Sequence, residues 1–96
     1  MRLATLNVHC LHCDEAELIS ILSPLSLDVL CLQEAHQPSH VAPFAAKLGM
    51  ASKVSRLADY ALYNCILVRD GGPEVISVTR IDLPGGTKKQ RKTGAL

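Results

Sequence analysis

Leu27-Asp28-Val29-Leu30-Cys31-Leu32-Gln33-Glu34 decides the fold of this chain. Four consecutive apolar residues lead from an aspartate into an amide and a carboxylate. A short apolar run bounded by turn signals reads as a strand buried on both sides. Such strands belong to parallel sheets covered on both faces. Side chains that act on ligands gather just beyond the carboxyl ends of these strands, which is where Glu34 stands.

Working outward, Arg2-Leu3-Ala4-Thr5-Leu6-Asn7-Val8 reads as an earlier strand with Asn7 near its own carboxyl end. The segment between the two runs exceeds the ~12 residues that a parallel crossover needs. Asp14 is placed to cap a helix within it, with Glu17 three residues on in a capping-box arrangement. Leu18, Ile21, Leu22 and Leu25 then recur at helical spacing, and Pro24 stops the helix at Ser23. The opening is therefore a β-α-β unit, and Asn7 and Glu34 are expected to project side by side from neighbouring strands.

After Glu34, His36-Gln37-Pro38 reads as a loop, with Ser39 as the cap of a second helix. Val41, Phe44 and Leu48 form its apolar face, Pro43 falls in its early turns, and Gly49 ends it in a left-handed conformation. Met50 to Val54 reads as a short strand and Ser55 to Asp59 as a loop. Tyr63 to Arg69 is a further strand. Asp70-Gly71-Gly72-Pro73 is a turn, and Glu74 to Leu83, rich in β-branched residues, is expected to complete an antiparallel hairpin with it. Thr93 to Leu96 looks like the beginning of one more strand. The fold class is α/β: a partial α/β sandwich whose mixed sheet has a β-α-β opening and a later β-hairpin.

Composition narrows the function classes. At 96 residues the chain makes at most one small domain. Phe44, Tyr60 and Tyr63 are its only aromatic residues, which argues against a stacking platform for single-stranded nucleic acid. Four of its ten basic residues, Lys88, Lys89, Arg91 and Lys92, crowd near the end, so the rest of the chain is net acidic. That basic run reads as a solvated loop or as a contact to a phosphate backbone. No signal-like leader opens the chain, and no apolar run reaches the ~18 residues of a membrane span. Cys31 and Cys65 lie within apolar strands as small hydrophobes. An intracellular, cytoplasmic or nuclear setting follows as the expectation.

Two groupings carry metal chemistry. The Asn7 amide and the Glu34 carboxylate, converging at strand ends, suit a hard divalent cation, because magnesium takes few carboxylates and keeps waters for phosphate oxygens to replace. Their side-chain oxygens are expected within bridging distance of one cation. Polar residues where strands meet loops are the plainer reading of the same pair. The second grouping, Cys10-x-x-Cys13 with His36-x-x-x-His40, has the ligand types of a zinc site. The 22 residues between Cys13 and His36 are, however, an apolar helix and a buried strand, too core-like for a zinc finger. Bland loop residues are the preferred reading there.

Ala4-Thr5-Leu6-Asn7-Val8 followed by Leu27 to Gln33-Glu34 resembles the opening of the endonuclease/exonuclease/phosphatase superfamily, whose pattern is a Thr-x-Asn strand end and then an apolar strand closing in Gln-Glu. Asn64-Cys65-Ile66-Leu67-Val68-Arg69 is similar to that family's Asn-x-Ile-Leu-Ser-Arg strand, with Val68 in place of the serine. Arg91 to Leu96 is similar to the start of its next strand. The resemblance implies a four-layer sandwich that hydrolyses phosphate esters, nucleic acid among them, with Mg2+ or Mn2+. It also implies that Asn7 and Glu34 are the metal-site residues. The family's later Asp-x-Asn and Asp-His pairs are absent from these 96 residues. The expectation is thus the amino-terminal half of a phosphoesterase domain, inactive alone and carrying no catalytic residue of its own. The alternative is a non-catalytic binding module derived from that fold.

Overall fold

The computed structural model describes residues 1–9, 14–59, 62–79, 81 and 84. Its elements in chain order are β1 (Leu3–Asn7), α1 (Glu15–Leu22), a 3-10 turn (Ser23–Leu25), β2 (Val29–Ala35), α2 (Pro38–Lys47), β3 (Met50–Asp59) and β4 (Leu62–Arg69). They build a mixed α/β architecture: one four-stranded sheet in the order β1-β2-β4-β3, with two helices. β1 and β2 are parallel, in the register Leu3 opposite Val29 to Asn7 opposite Gln33. β4 is antiparallel to both β2 and β3.

Alternation along the strands sorts the side chains. Ala4, Leu6 and Val8 of the first strand region, Leu30 and Leu32 of β2, and Cys65 and Leu67 of β4 share one core with Leu18, Ile19 and Leu22 of α1 and Val41, Phe44 and Ala45 of α2. Both helices therefore cover the same face of the sheet. Phe44 is fully buried and is the largest of the wholly enclosed side chains. The other face carries Thr5, Asn7, Cys31, Gln33, Asn64, Ile66 and Arg56, as the pairings with core-facing neighbours require.

Local signals explain the helix ends. The Asp14 carboxylate accepts the N–H groups of Ala16 and Glu17, at 3.0 and 3.3 Å, satisfying donors that the first turn leaves open. The α1 face differs from the expected one: Ile21 is 58% exposed, and Ile19 packs in its place beside Leu18 and Leu22. α2 begins at Pro38 rather than after a Ser39 cap. Proline suits the first helical position, where its missing N–H costs nothing. Gly49, at φ +68°, ends α2 in the left-handed conformation, and β3 follows directly.

Two strand expectations are corrected. Ser55 to Asp59 is not a loop but the second half of β3, which pairs with β4 from Met50–Arg69 to Asp59–Leu62. β4 thereby finds its hairpin partner on its amino-terminal side. Residues 73–79 form no strand, although the Asp70–Gly72 turn is present with Gly71 at φ +73°. Ile76 there is 93% exposed. Side chains of high β-propensity do not make a strand when the neighbouring edge is already occupied. The remainder of that expected strand, the Lys88 to Lys92 run and the Thr93–Leu96 start lie outside the described residues or largely so.

At the amino-terminal ends of β1 and β2, one carboxylate joins three strands. Asp28 accepts the Arg2 backbone N–H at 2.7 Å and two guanidinium N–H groups of Arg69 at 2.6 and 2.9 Å. The Arg2 N–H and then Arg69 hold its carboxyl below the ordinary value of 3.8. Among the described residues, no helix is long and apolar enough to cross a membrane.

Candidate functional site

Asn7 and Glu34 meet at the opposite end of the sheet from Asp28. Asn7 is the last residue of β1, on the face away from the helices, and is paired in register with Gln33. Glu34 follows Gln33 by one, so simple alternation would send it to the helix-covered face with Leu30 and Leu32. A β-bulge prevents this. Leu32 pairs with Cys65 and Ala35 with Tyr63, so Gln33 and Glu34 together lie opposite the single residue Asn64. Glu34 takes up φ +53°, and Ala35 resumes the core position, wholly buried. A bulge of this kind re-aims a side chain. Here it delivers the Glu34 carboxylate to Asn7.

The contact itself is a hydrogen bond from Asn7 Nδ2 to Glu34 Oε2. The amide's other end is fixed as well, since the His9 backbone N–H donates to Asn7 Oδ1 at 3.0 Å. Reversing the amide would set an NH2 group against that N–H, so the orientation follows from the network. His9 itself lies in the left-handed region, at φ +46°. One layer deeper, Gln33 Nε2 donates to Thr5 Oγ1 at 2.9 Å and ties the same two strands together.

The expected pair is thus brought together, with a change of detail. The atom of Asn7 that faces the carboxylate is nitrogen, while its oxygen serves His9. Glu34 Oε1 has no hydrogen-bond partner among the described residues. A single oriented carboxylate suits magnesium or manganese, which complete their shells with water and substrate oxygens.

Sequence reasoning missed the bulge, and with it the reason Glu34 reaches Asn7. A signal was there: the buried alternation Leu30, Leu32 skips to Ala35 instead of continuing at 34. It also placed Arg56 in a loop, whereas Arg56 is a strand residue paired with Asn64, in the same transverse row of the sheet as the bulge.

Half of the rival zinc grouping is described. His36 and His40 stand edge to face with ring centroids 5.2 Å apart, on either side of the start of α2. Cys10 and Cys13 lie outside the described residues. Among the described residues no three His, Cys, Asp or Glu side chains converge on a common point.

A separate concavity of about 550 Å3 at the far end of the sheet is lined by Leu22, Leu48 and Met50 together with Arg2, Asp28 and Arg69. It is remote from Glu34 and contains the Asp28 clamp. No protein-family model, curated protein or solved structure matches the chain.

Proposed function

We propose that this chain supplies the cation-holding edge of a metal-dependent phosphoesterase site of the endonuclease/exonuclease/phosphatase kind. The observation that carries the reading is the Asn7–Glu34 contact, made through a bulge that holds a glutamate in a left-handed backbone conformation. Backbone strain of this sort concentrates where a side chain must be aimed. The Thr-x-Asn and Gln-Glu strand ends supply the same two residues by resemblance.

In this reading the two side chains divide the work. Glu34 is the ligand for Mg2+ or Mn2+. Asn7 orients the carboxylate by donating to it, as partners one shell out from a metal commonly do. Gln33 and Thr5 keep β1 and β2 in register beneath them. The cation, when bound, polarises a phosphoryl oxygen and offsets the charge that develops on it. No Asp-x-Asn or Asp-His pair occurs in the 96 residues, so this chain on its own is expected to bind cation without turning over an ester.

The test is a Mn2+ titration of the purified chain, followed by the paramagnetic signal of the free ion. Saturable binding that weakens at least about tenfold in Glu34→Gln, with the far-ultraviolet circular dichroism unchanged, is the expected result. Equal affinity in the variant would remove the cation from this site. Magnesium-dependent hydrolysis of a phosphodiester that disappears in Glu34→Ala would show a complete enzyme and overturn this division of labour.

A further inference from the structure

We propose that Arg56, with Asn64 beside it, is the second anchor of the Glu34 site and selects phosphate esters that carry another anionic group; this rests on the cation reading above. The sheet register places the groups. Asn64 lies opposite the Gln33–Glu34 bulge, and Arg56 pairs with Asn64 on the next strand. Cys65 is wholly buried in the helix-covered core, and Ser55 Oγ lies 3.4 Å from its sulfur on that same face. Their neighbours Asn64 and Arg56 therefore face the other way, onto the face that carries Thr5, Asn7 and Gln33. A polar row then runs across the end of the sheet from β1 to β3: Asn7, the Gln33–Glu34 bulge, Asn64, Arg56.

The row has the right charges for such a ligand. Glu34, next to Asn7, holds the cation on β2, and a guanidinium stands at the β3 end. Arg56 is exposed, and its guanidinium makes no hydrogen bond or ion pair among the described residues, unlike that of Arg69, which Asp28 engages. Guanidinium groups bind phosphate oxygens in pairs and stay charged at every working pH. The Asn64 amide between them adds a neutral donor. Two strand spacings, roughly 10 Å, separate the backbone of Glu34 on β2 from that of Arg56 on β3. The Glu34 carboxylate is turned the other way, toward Asn7 on β1. With side chains standing upright on their strands, a single phosphate group falls short of touching both the cation and Arg56. A ligand with two phosphates can span the row, with one on the cation and the next on the guanidinium. Consecutive phosphates of a nucleotide strand and the phosphates of an inositol ring share this chemistry.

The experiment compares thymidine monophosphate, a 5′-phosphorylated thymidine dinucleotide and inositol bisphosphate by titration calorimetry, with and without Mn2+. The two-phosphate probes are expected to bind about tenfold tighter than the monophosphate. Arg56→Ala should erase that gain, Arg56→Lys should retain part of it, and neither should change the Mn2+ affinity. A gain for the dinucleotide alone assigns the row to a nucleotide strand, and a gain for the inositol probe alone assigns it to a phosphoinositol. Equal binding of mono- and bisphosphates, or a gain that survives Arg56→Ala, overturns the proposal. Loss of Mn2+ binding would sink the cation reading alone: an Arg56-dependent gain in metal-free buffer would keep the anion row, and its absence would overturn that too.

Discussion

The amide of Asn7 is held at both ends: its nitrogen donates to the Glu34 carboxylate on β2, and its oxygen accepts the His9 backbone N–H. The carboxylate is therefore oriented before any ligand arrives. Asn7→Ala leaves Glu34 in place but unsteered, and the expected outcome is a loss of about tenfold or more in Mn2+ affinity. Glu34→Ala should abolish the binding outright. A silent Asn7→Ala would show that the amide has no part in presenting the carboxylate.

Glu34 itself sits at φ +53°, where a side chain is unfavourable by roughly 1–2 kcal/mol relative to glycine. Comparing Glu34→Gly with Glu34→Ala isolates the backbone contribution, because neither keeps the carboxylate. The glycine variant should be the more stable in urea by about 1 kcal/mol, the reverse of the usual order in a strand. Equal stabilities would mean that the bulge relaxes without strain.

Asp28 sets the acid limit of the clamp. Its pKa is lowered in the folded chain by the Arg2 N–H and by Arg69. A carboxyl that is more acidic folded than unfolded contributes stability above its unfolded pKa, near 3.8, and loses it as pH falls through the folded value. Denaturation followed from neutral pH to below this window should show the decline in the wild-type chain. Asp28→Asn should start less stable at neutral pH and lack this component of the decline. Parallel profiles for the two proteins would rule the clamp out as the source.

Phe44 fastens α2 to the sheet. Its ring is fully buried, and replacement with alanine is expected to destabilise by about 3–5 kcal/mol. For a chain of this size, total stability is only of order 5–15 kcal/mol. Urea midpoints with unchanged slope would measure the difference. A loss below about 1 kcal/mol would mean that α2 is not seated in the core with Leu30, Leu32 and Leu67.

The parts of the fold that could be read from residues alone are those with one dominant physical cause. Leu30 and Leu32 had to be buried because nothing from Val29 to Leu32 is polar, although the strand is covered on one face only and Val29 and Cys31 are half-buried. Asp14 had to cap because an apolar helix follows. Gly49 had to end α2 because little else tolerates its φ. Ser55 to Asp59 was opaque for the opposite reason: β3 is an edge strand with one face in solvent, so Ser55, Arg56 and Asp59 look like loop residues. Residues 74–79 show the converse, β-branched side chains whose expected partner, β4, is already paired on both sides by β2 and β3. The Asn7–Glu34 meeting could be anticipated from strand ends, but its cause could not. A glutamate in the left-handed region announces itself by no residue preference, and only the tertiary pairing of Leu32 and Ala35 with Cys65 and Tyr63 imposes it.

The strand order β1-β2-β4-β3 sets a timetable for biosynthesis. Chains leave the ribosome from the amino terminus at about 5–20 residues per second, so β3 emerges before β4. Yet β2 takes β4 as its neighbour and leaves β3 outside. The apolar edge of β2 must wait until Leu62 to Arg69 has been made, while β3, already available, is the wrong partner. Correct assembly places β4 inward, between β2 and β3. The Asp28–Arg69 ion pair ties the last residue of the β3–β4 hairpin to the residue just before β2. The nascent chain is therefore most exposed to misassembly in the interval between release of Asp59 and release of Arg69, when β3 is free and its rightful neighbour is still incomplete.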